Sequence, residues 1–186
     1  IARLAVAVGR VEGVFIVGSI GLMSATTALV GRSVGRGDAM GAAHWARRLT
    51  HAGVYTALAF GLLMGLSALA IPVLFANAGR EVQVLAVVGI LINAVVQVVK
   101  VRNMILGAGV MPSGGDVRGV IIGDGISAFV FGLPLAIALA LFTPLGIIGL
   151  FVARVVEELV KLGIFTWRTR RISWESVVER QALSVA

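Results

Sequence analysis

The stretch GRSVGRGDAMGAAHWARR, Gly31–Arg48, holds four arginines, one aspartate and four glycines. On either side of it the charge disappears. Gly13–Gly31 and Leu49–Gly79 contain no Asp, Glu, Lys or Arg. A short basic knot between two long uncharged runs is the pattern of a loop joining two membrane helices. Lys and Arg accumulate on the cytosolic side of such loops. The glycines suit a helix end, because Gly35 and Gly37 adopt positive φ without a side-chain clash. Asp38 is placed to N-cap whatever follows. Gly31–Arg48 is therefore expected to be a cytosolic loop.

Composition extends that reading to the whole chain. Its 186 residues are 59% hydrophobic and 13% charged, and mean hydropathy is +1.02. Soluble domains are roughly 45–50% apolar and about 25% charged. This chain lacks the polar surface that water requires, so its solvent is expected to be the lipid bilayer. It has no cysteine and hence no disulfide framework. The net charge of +7 fits cytosolic loops, and no aromatic-rich basic module points to a nucleic-acid partner. Apolar sequence starts at Ile1 without a signal-peptide pattern, which suggests a fragment that starts near or inside a helix.

A helix needs about 20 residues to cross a bilayer core of about 30 Å. Five spans are expected, at about 6–34, 50–76, 82–106, 118–141 and 144–167, making an all-α membrane protein. Residues 1–171 form one lobe, and 172–186 form a polar cytosolic tail, either amphipathic at the interface through Trp174, Val177 and Val178 or disordered. Ala76–Glu81 is a turn around Gly79. Gly114, Gly115 and Asp116 repeat the glycine-stop and aspartate-cap device. Thr143 is expected to N-cap the last span, with Pro144 at its first position. The successive connections carry Arg32, Arg36, Arg47 and Arg48; then Arg80 and Glu81; then Lys100, Arg102 and Arg118; then nothing; then Arg168, Arg170 and Arg171. This basic, poor, basic, poor, basic order places the C-terminus in the cytosol, with the protein multi-pass in the inner (plasma) membrane.

Three segments resemble one transporter family. ALVGRSVGRGD…GAA, Ala28–Ala43, is similar to the loop after the second helix of a six-helix lobe in MATE (multidrug and toxic compound extrusion) transporters. Its motif positions are Gly31, Gly35, Gly37 and Asp38. GGDVRGVIIGDGISAFVFGLPLA, Gly114–Ala136, resembles the family's GGDTR turn and the helix after it, with Gly114, Gly115 and Asp116 in the turn. ARVVEELVKLGIFTWRTRRISW, Ala153–Trp174, resembles the last helix and its basic exit. The pattern departs at Pro112, where arginine is common, and at Arg36, where alanine is usual. The resemblance implies helices eight to twelve of a twelve-helix protein, with helix seven and the N-terminal lobe missing from the chain. It also implies export of small, often cationic organic substrates against inward proton or sodium flow, by two lobes rocking about a cavity, and it strengthens Pro134 as a hinge.

Ionisable groups inside spans are costly and face cavities or each other. Arg154, Glu158 and Lys161 fall on one face of the fifth span, with Glu157 at the edge. Arg154–Glu158 and Glu157–Lys161 are i,i+4 pairs, read either as a self-neutralised ladder with Arg154 and Lys161 as pairing partners or as a glutamate freed for a cation. Asp124 lies at the depth of Lys161, so the two are expected to pair across helices; the rival reading has Asp124 lining the cavity as a coupling carboxylate. Asn93 and Gln97 share a face and either line a substrate path or bond a neighbouring helix. Arg10 and Glu12 are expected to find separate neighbours, and His44 and His51 to be interfacial. Gly9/Gly13, Gly31/Gly35 and Gly61/Gly65 have the spacing of close helix contact. Pro72 and Pro134 interrupt spans and are candidate kinks.

These features favour part of a cation-coupled efflux antiporter, using no cofactor beyond the coupling ion, H⁺ or Na⁺. Its expected partners are the bilayer, the missing N-terminal lobe and a small organic, cationic substrate. A lipid-linked-sugar flippase and a non-transporting membrane interaction module are the alternatives. An enzyme is not expected: there is no cysteine nucleophile and no His-Glu-x-x-His zinc helix.

Overall fold

The computed structural model describes the backbone of residues 2–74, 76 and 79–185, and their side chains except at 2–12, 14–16, 74, 184 and 185. Arg10, Glu12 and Gly9 thus fall outside the described side chains. Among the described residues six helices follow one another: α1 (Ala2–Gly35), α2 (Ala39–Val73), α3 (Arg80–Ser113), α4 (Val117–Leu141), α5 (Ile147–Thr169) and α6 (Trp174–Val185). No strand occurs among the described residues.

Helices α2, α3 and α4 are long and apolar enough to cross a membrane, with hydropathies of 2.0, 2.4 and 2.0. Only 28%, 33% and 17% of their most apolar windows are buried inside the bundle. Val95, Leu69 and Phe129 stand 79%, 78% and 71% exposed. So much outward apolar surface needs an apolar solvent, and the protein is membrane-associated. Helix α5 has 23 residues, about 35 Å at 1.5 Å each, but four ionisable residues interrupt its middle.

The first loop is much shorter than expected. Gly31–Gly35 is the last turn of α1, and Ala39–Arg48 already belongs to α2, leaving Arg36–Asp38 as the turn. The cause is local. Gly37 takes φ +76°, and the Asp38 carboxylate accepts the Gly41 N–H at 2.7 Å. Alanine-rich sequence after that cap propagates the helix. Arginine is itself a good helix former, so the basic knot extends α2. The third loop repeats the device, with Gly115 at φ +78° and Asp116 accepting from the Gly119 N–H at 3.1 Å. Thr143 is not a helix cap. Its hydroxyl donates back to the Leu139 carbonyl, closing α4, and α5 starts after Gly146, at φ +50°.

Three prolines lie inside helices, and each follows a change of helical pitch by two residues. Pro72 follows the 3-10 turn Ala68–Ala70, Pro112 the π-helical Ile105–Val110, and Pro134 the π-helical Ile126–Gly132. A proline ring clashes with the carbonyl four residues back and leaves it without its donor. The pitch change relieves the clash, and other donors take the carbonyls. The Ile71 N–H bonds Ala68 O, and the Thr27 hydroxyl of α1 donates to Ala108 O at 3.1 Å.

Two apolar clusters sit at opposite ends. Val34, Ala42, Val110, Met111, Phe165 and Val177 pack where the basic loops meet. Met64, Ile71, Ala86 and Ile90 pack with Ile147 and Phe151 near the charge-poor turns. The turns therefore alternate ends along the chain. The segment after α5 is the helix α6, and Trp174, Val177 and Val178 pack on the basic-end cluster.

Glycine contact holds at one expected pair and fails at another. A Cβ on Gly61 would lie 2.7 Å from the Ala94 carbonyl oxygen, and one on Gly65 would lie 3.8 Å from Ala94 Cβ. At Gly31, Gly35 and Gly13 nothing lies within 4 Å. Gly61→Ala is expected to destabilise the bundle by about 1–3 kcal/mol, because a backbone atom cannot move aside. Gly31→Ala should be neutral or stabilising, as alanine is the better helix former by about 1 kcal/mol. Thermal unfolding of the two variants in one detergent checks the difference.

Candidate functional site

Helix α3 carries a polar stripe at three- and four-residue steps: Asn93, Gln97, Lys100 and Asn103. All four are buried. Lys100 Nζ donates to Asn93 Oδ1 at 2.6 Å, and Asn93 Nδ2 donates to the Gly89 carbonyl at 3.0 Å. Both amide atoms of Gln97 are shielded and lack a hydrogen-bond partner. Asn103 Nδ2 reaches α5, donating to Glu158 Oε2 at 2.8 Å and to the Glu158 carbonyl at 2.9 Å.

Lys100, Asn103, Asp124, Arg154, Glu158 and Lys161 line one cavity of about 280 Å³ between α3, α4 and α5. Lys161 Nζ lies 3.1 Å from Asp124 Oδ1 and 3.8 Å from Glu157 Oε1. The expected pairing of Asp124 with Lys161 is thus present, and one ammonium bridges two carboxylates. A Cβ on Gly132 would lie 2.8 Å from Glu157 Oε2. The bare backbone at the end of the α4 π segment therefore makes room for that carboxylate.

The charge ladder expected along α5 is only half present. Glu157 meets Lys161, but among the described residues Arg154 makes no ion pair with Glu158. Asn103 takes the Glu158 carboxylate instead, and Glu158 is buried while Arg154 is exposed. Lys100 is a second correction. The charge order along the chain makes it a loop-flanking residue, yet it is 6% exposed inside the bundle. The i, i+4, i+7 spacing of Asn93, Gln97 and Lys100 was the signal that could have found it.

The family-motif loops do not touch this cavity. A Cβ on Gly37 would lie 3.9 Å from Val178 and one on Gly114 2.8 Å from Ile172, so one turn meets α6 and the other the segment leading into it. Asp116 and Arg168 form a two-pronged pair, with Arg168 Nε–H and Nη2–H each donating at 2.7 Å. Spacing did not announce that contact between residues 52 positions apart. The Arg168 hydrogen bond, reinforced by its charge and by the Gly119 N–H, holds the Asp116 carboxyl below its ordinary value against a smaller upward push from burial. A depressed carboxyl contributes stability above its unfolded pKa, near 3.9, and loses it as pH falls through the folded value. Asp116→Asn is expected to cost about 1 kcal/mol at pH 7. The gap from the parent protein should hold down to about pH 5 and close below about pH 4, read from melting temperatures across that range.

His44 lies edge-on to Trp45, 6.0 Å between ring centroids, and His51 Nδ1 bonds the Arg47 carbonyl at 2.8 Å. Gly31–Gly35 also spells Gly-x-Ser-x-Gly, a hydrolase elbow when it turns a strand into a helix. Here Ser33 is buried in the last turn of α1, so that elbow is not formed.

No known family profile and no curated protein matches the chain.

Proposed function

We propose that this chain is the C-terminal lobe of a cation-coupled efflux antiporter of the MATE type. Its first five helices cross the plasma membrane, and its C-terminus lies in the cytosol. Its working partner is an N-terminal lobe of the same protein, and its cargo is a small organic cation. The observation that carries the reading is Lys161 held between Asp124 and Glu157 where α4 meets α5, beside the buried polar stripe of α3. Charge at that depth is expensive unless it does something. An entering proton, sodium ion or organic cation competes with Lys161 for two carboxylates. Competition of that kind is sufficient for exchange, since occupation by one cation disfavours the other.

The changes of pitch before Pro112 and Pro134 support a moving role, because π segments and prolines mark places where helices bend. We assign Pro134 as the hinge of α4. No enzymatic step is assigned to the chain. The flippase alternative asks for a cavity rich in unbalanced basic groups. Here Lys100, Arg154 and Lys161 face Asp124, Glu158 and, through Lys161, Glu157.

The test is transport by the complete gene product in sealed proteoliposomes. An imposed proton or sodium gradient should drive counterflow of a fluorescent organic cation such as ethidium. Asp124→Asn combined with Glu157→Gln should stop it. Counterflow that persists unchanged in this double variant, or that ignores both gradients, contradicts the proposal.

A further inference from the structure

On the opposite face of α3 from Lys100 lies a second polar cavity, independent of the transport reading. Arg47 of α2, Arg102 of α3 and Arg170 just past α5 line a space of about 470 Å³ at the basic end of the bundle. Thr50, His51 and Thr169 add polar lining, and no carboxylate contributes. Three other arginines at this end have visible partners. Arg168 holds Asp116, Arg171 stacks on Trp167 at 4.0 Å, and Arg48 lies over Trp45 at 5.8 Å. The lining of this cavity differs. Arg102 Nε is shielded from solvent without a hydrogen-bond partner, and so is the Thr169 hydroxyl.

Shielded donors left unmet cost about 1–3 kcal/mol each, and native folds rarely tolerate them without a ligand or water. A group that meets these donors beside three guanidinium charges is rich in acceptors and negative. Guanidinium forks suit carboxylate and phosphate alike. Three guanidinium forks arriving from α2, α3 and the residue just past α5, with the Thr169 hydroxyl in the same lining, suit a tetrahedral oxyanion better than a planar one. The cavity has the size of a headgroup site, and basic pockets at helix ends near the cytosolic leaflet take anionic headgroups.

We propose that Arg47, Arg102 and Arg170 form a binding site for a phosphate oxyanion, carried by a phospholipid headgroup or by a free phosphate. Bound there, the anion ties α2, α3 and the end of α5 together at the basic end.

The test compares single-charge variants of the full chain in nanodiscs of phosphatidylcholine with and without phosphatidylglycerol. Retained phosphatidylglycerol is counted by native mass spectrometry after transfer to detergent. Arg170→Gln and Arg36→Gln remove the same charge from the same end at exposed positions, but only Arg170 lines the cavity. Arg102→Gln is the interior variant, accepted only if its melting transition remains cooperative. Retention by Arg170→Gln and Arg102→Gln is expected to fall about tenfold, with Arg36→Gln unchanged. In the second arm, inorganic phosphate is titrated into the detergent-solubilised protein and binding is followed by isothermal titration calorimetry. Saturable phosphate binding lost in Arg170→Gln, without preferential lipid retention, supports the site and assigns it to free phosphate. If Arg170→Gln and Arg36→Gln behave alike in both arms, the attraction is general electrostatics and the site is overturned.

Discussion

Lys161→Met is expected to abolish coupled transport and to lower stability by about 2 kcal/mol. Lys161 is the only cation within 4 Å of Asp124 or Glu157 among the described residues, 3.1 Å from one and 3.8 Å from the other. Its side chain is 18% exposed, against 52% for Asp124 and 23% for Glu157. Removing it strands two carboxylates beside an apolar side chain. Breaking a buried pair by deleting one partner costs about 3–5 kcal/mol and an exposed pair about 0–1 kcal/mol; two partly exposed contacts to one ammonium place this case between them, at about 2 kcal/mol. Asp124→Asn and Glu157→Gln each leave one carboxylate on the ammonium, so each alone should cost less than Lys161→Met. In a double-mutant cycle, Asp124→Asn with Lys161→Met should show a coupling of about 1–2 kcal/mol. Strict additivity would mean that the 3.1 Å contact carries no energy. The measurements are thermal unfolding in detergent and gradient-driven counterflow in proteoliposomes.

The second large effect is expected at Asn103. Its single amide nitrogen serves both the side chain and the backbone carbonyl of Glu158, joining α3 to α5 across the cavity. Glu158 is 9% exposed, and Asn103 is its side-chain partner across the helices. Asn103→Leu fills similar volume but removes both donors, leaving the buried Glu158 carboxylate unmet, while the Glu158 carbonyl keeps its bond within α5. The expected loss is about 2–4 kcal/mol, because a charged group is dearer to orphan than a neutral one. Asn103→Leu combined with Glu158→Leu should recover much of it, because replacing both polar partners by apolar groups is far milder than orphaning one. A double variant no more stable than Asn103→Leu would show that the contact is incidental. Unfolding in detergent decides the point, and counterflow in the double variant shows whether Glu158 also serves transport.

Local chemistry was legible in the sequence wherever it acts over a few residues. Asp38 and Asp116 cap the helices that follow them, and Gly37 and Gly115 turn left-handed ahead of them. The partnership of Asp124 with Lys161 followed from equal depth and opposite sign. Other features were not legible, for physical reasons. Counting loop charges ignores which way a helix faces, so Lys100 was placed at the surface when its stripe with Asn93 and Gln97 turns inward. Spacing on one helix nominated Arg154 for Glu158, but a competitor from another helix, Asn103, holds that carboxylate. The Asp116–Arg168 clasp and the docking of α6 join residues far apart in the chain. No period in the sequence encodes them. The π segments also add residues per turn, which rotates every face beyond them relative to an ideal helix.

The central claim is that the helices lie in hydrocarbon with the basic turns at one face and the charge-poor turns at the other. The chain has no cysteine, so single cysteines can be placed cleanly at the exposed positions Arg36, Arg80, Leu145 and Ser173. Sealed inside-out and right-side-out vesicles are treated with a membrane-impermeant thiol reagent. Arg36 and Ser173 sites should label only from the cytosolic face, and Arg80 and Leu145 sites only from the opposite face. Labelling of all four from one side, or a chain that stays soluble without detergent, would contradict the account.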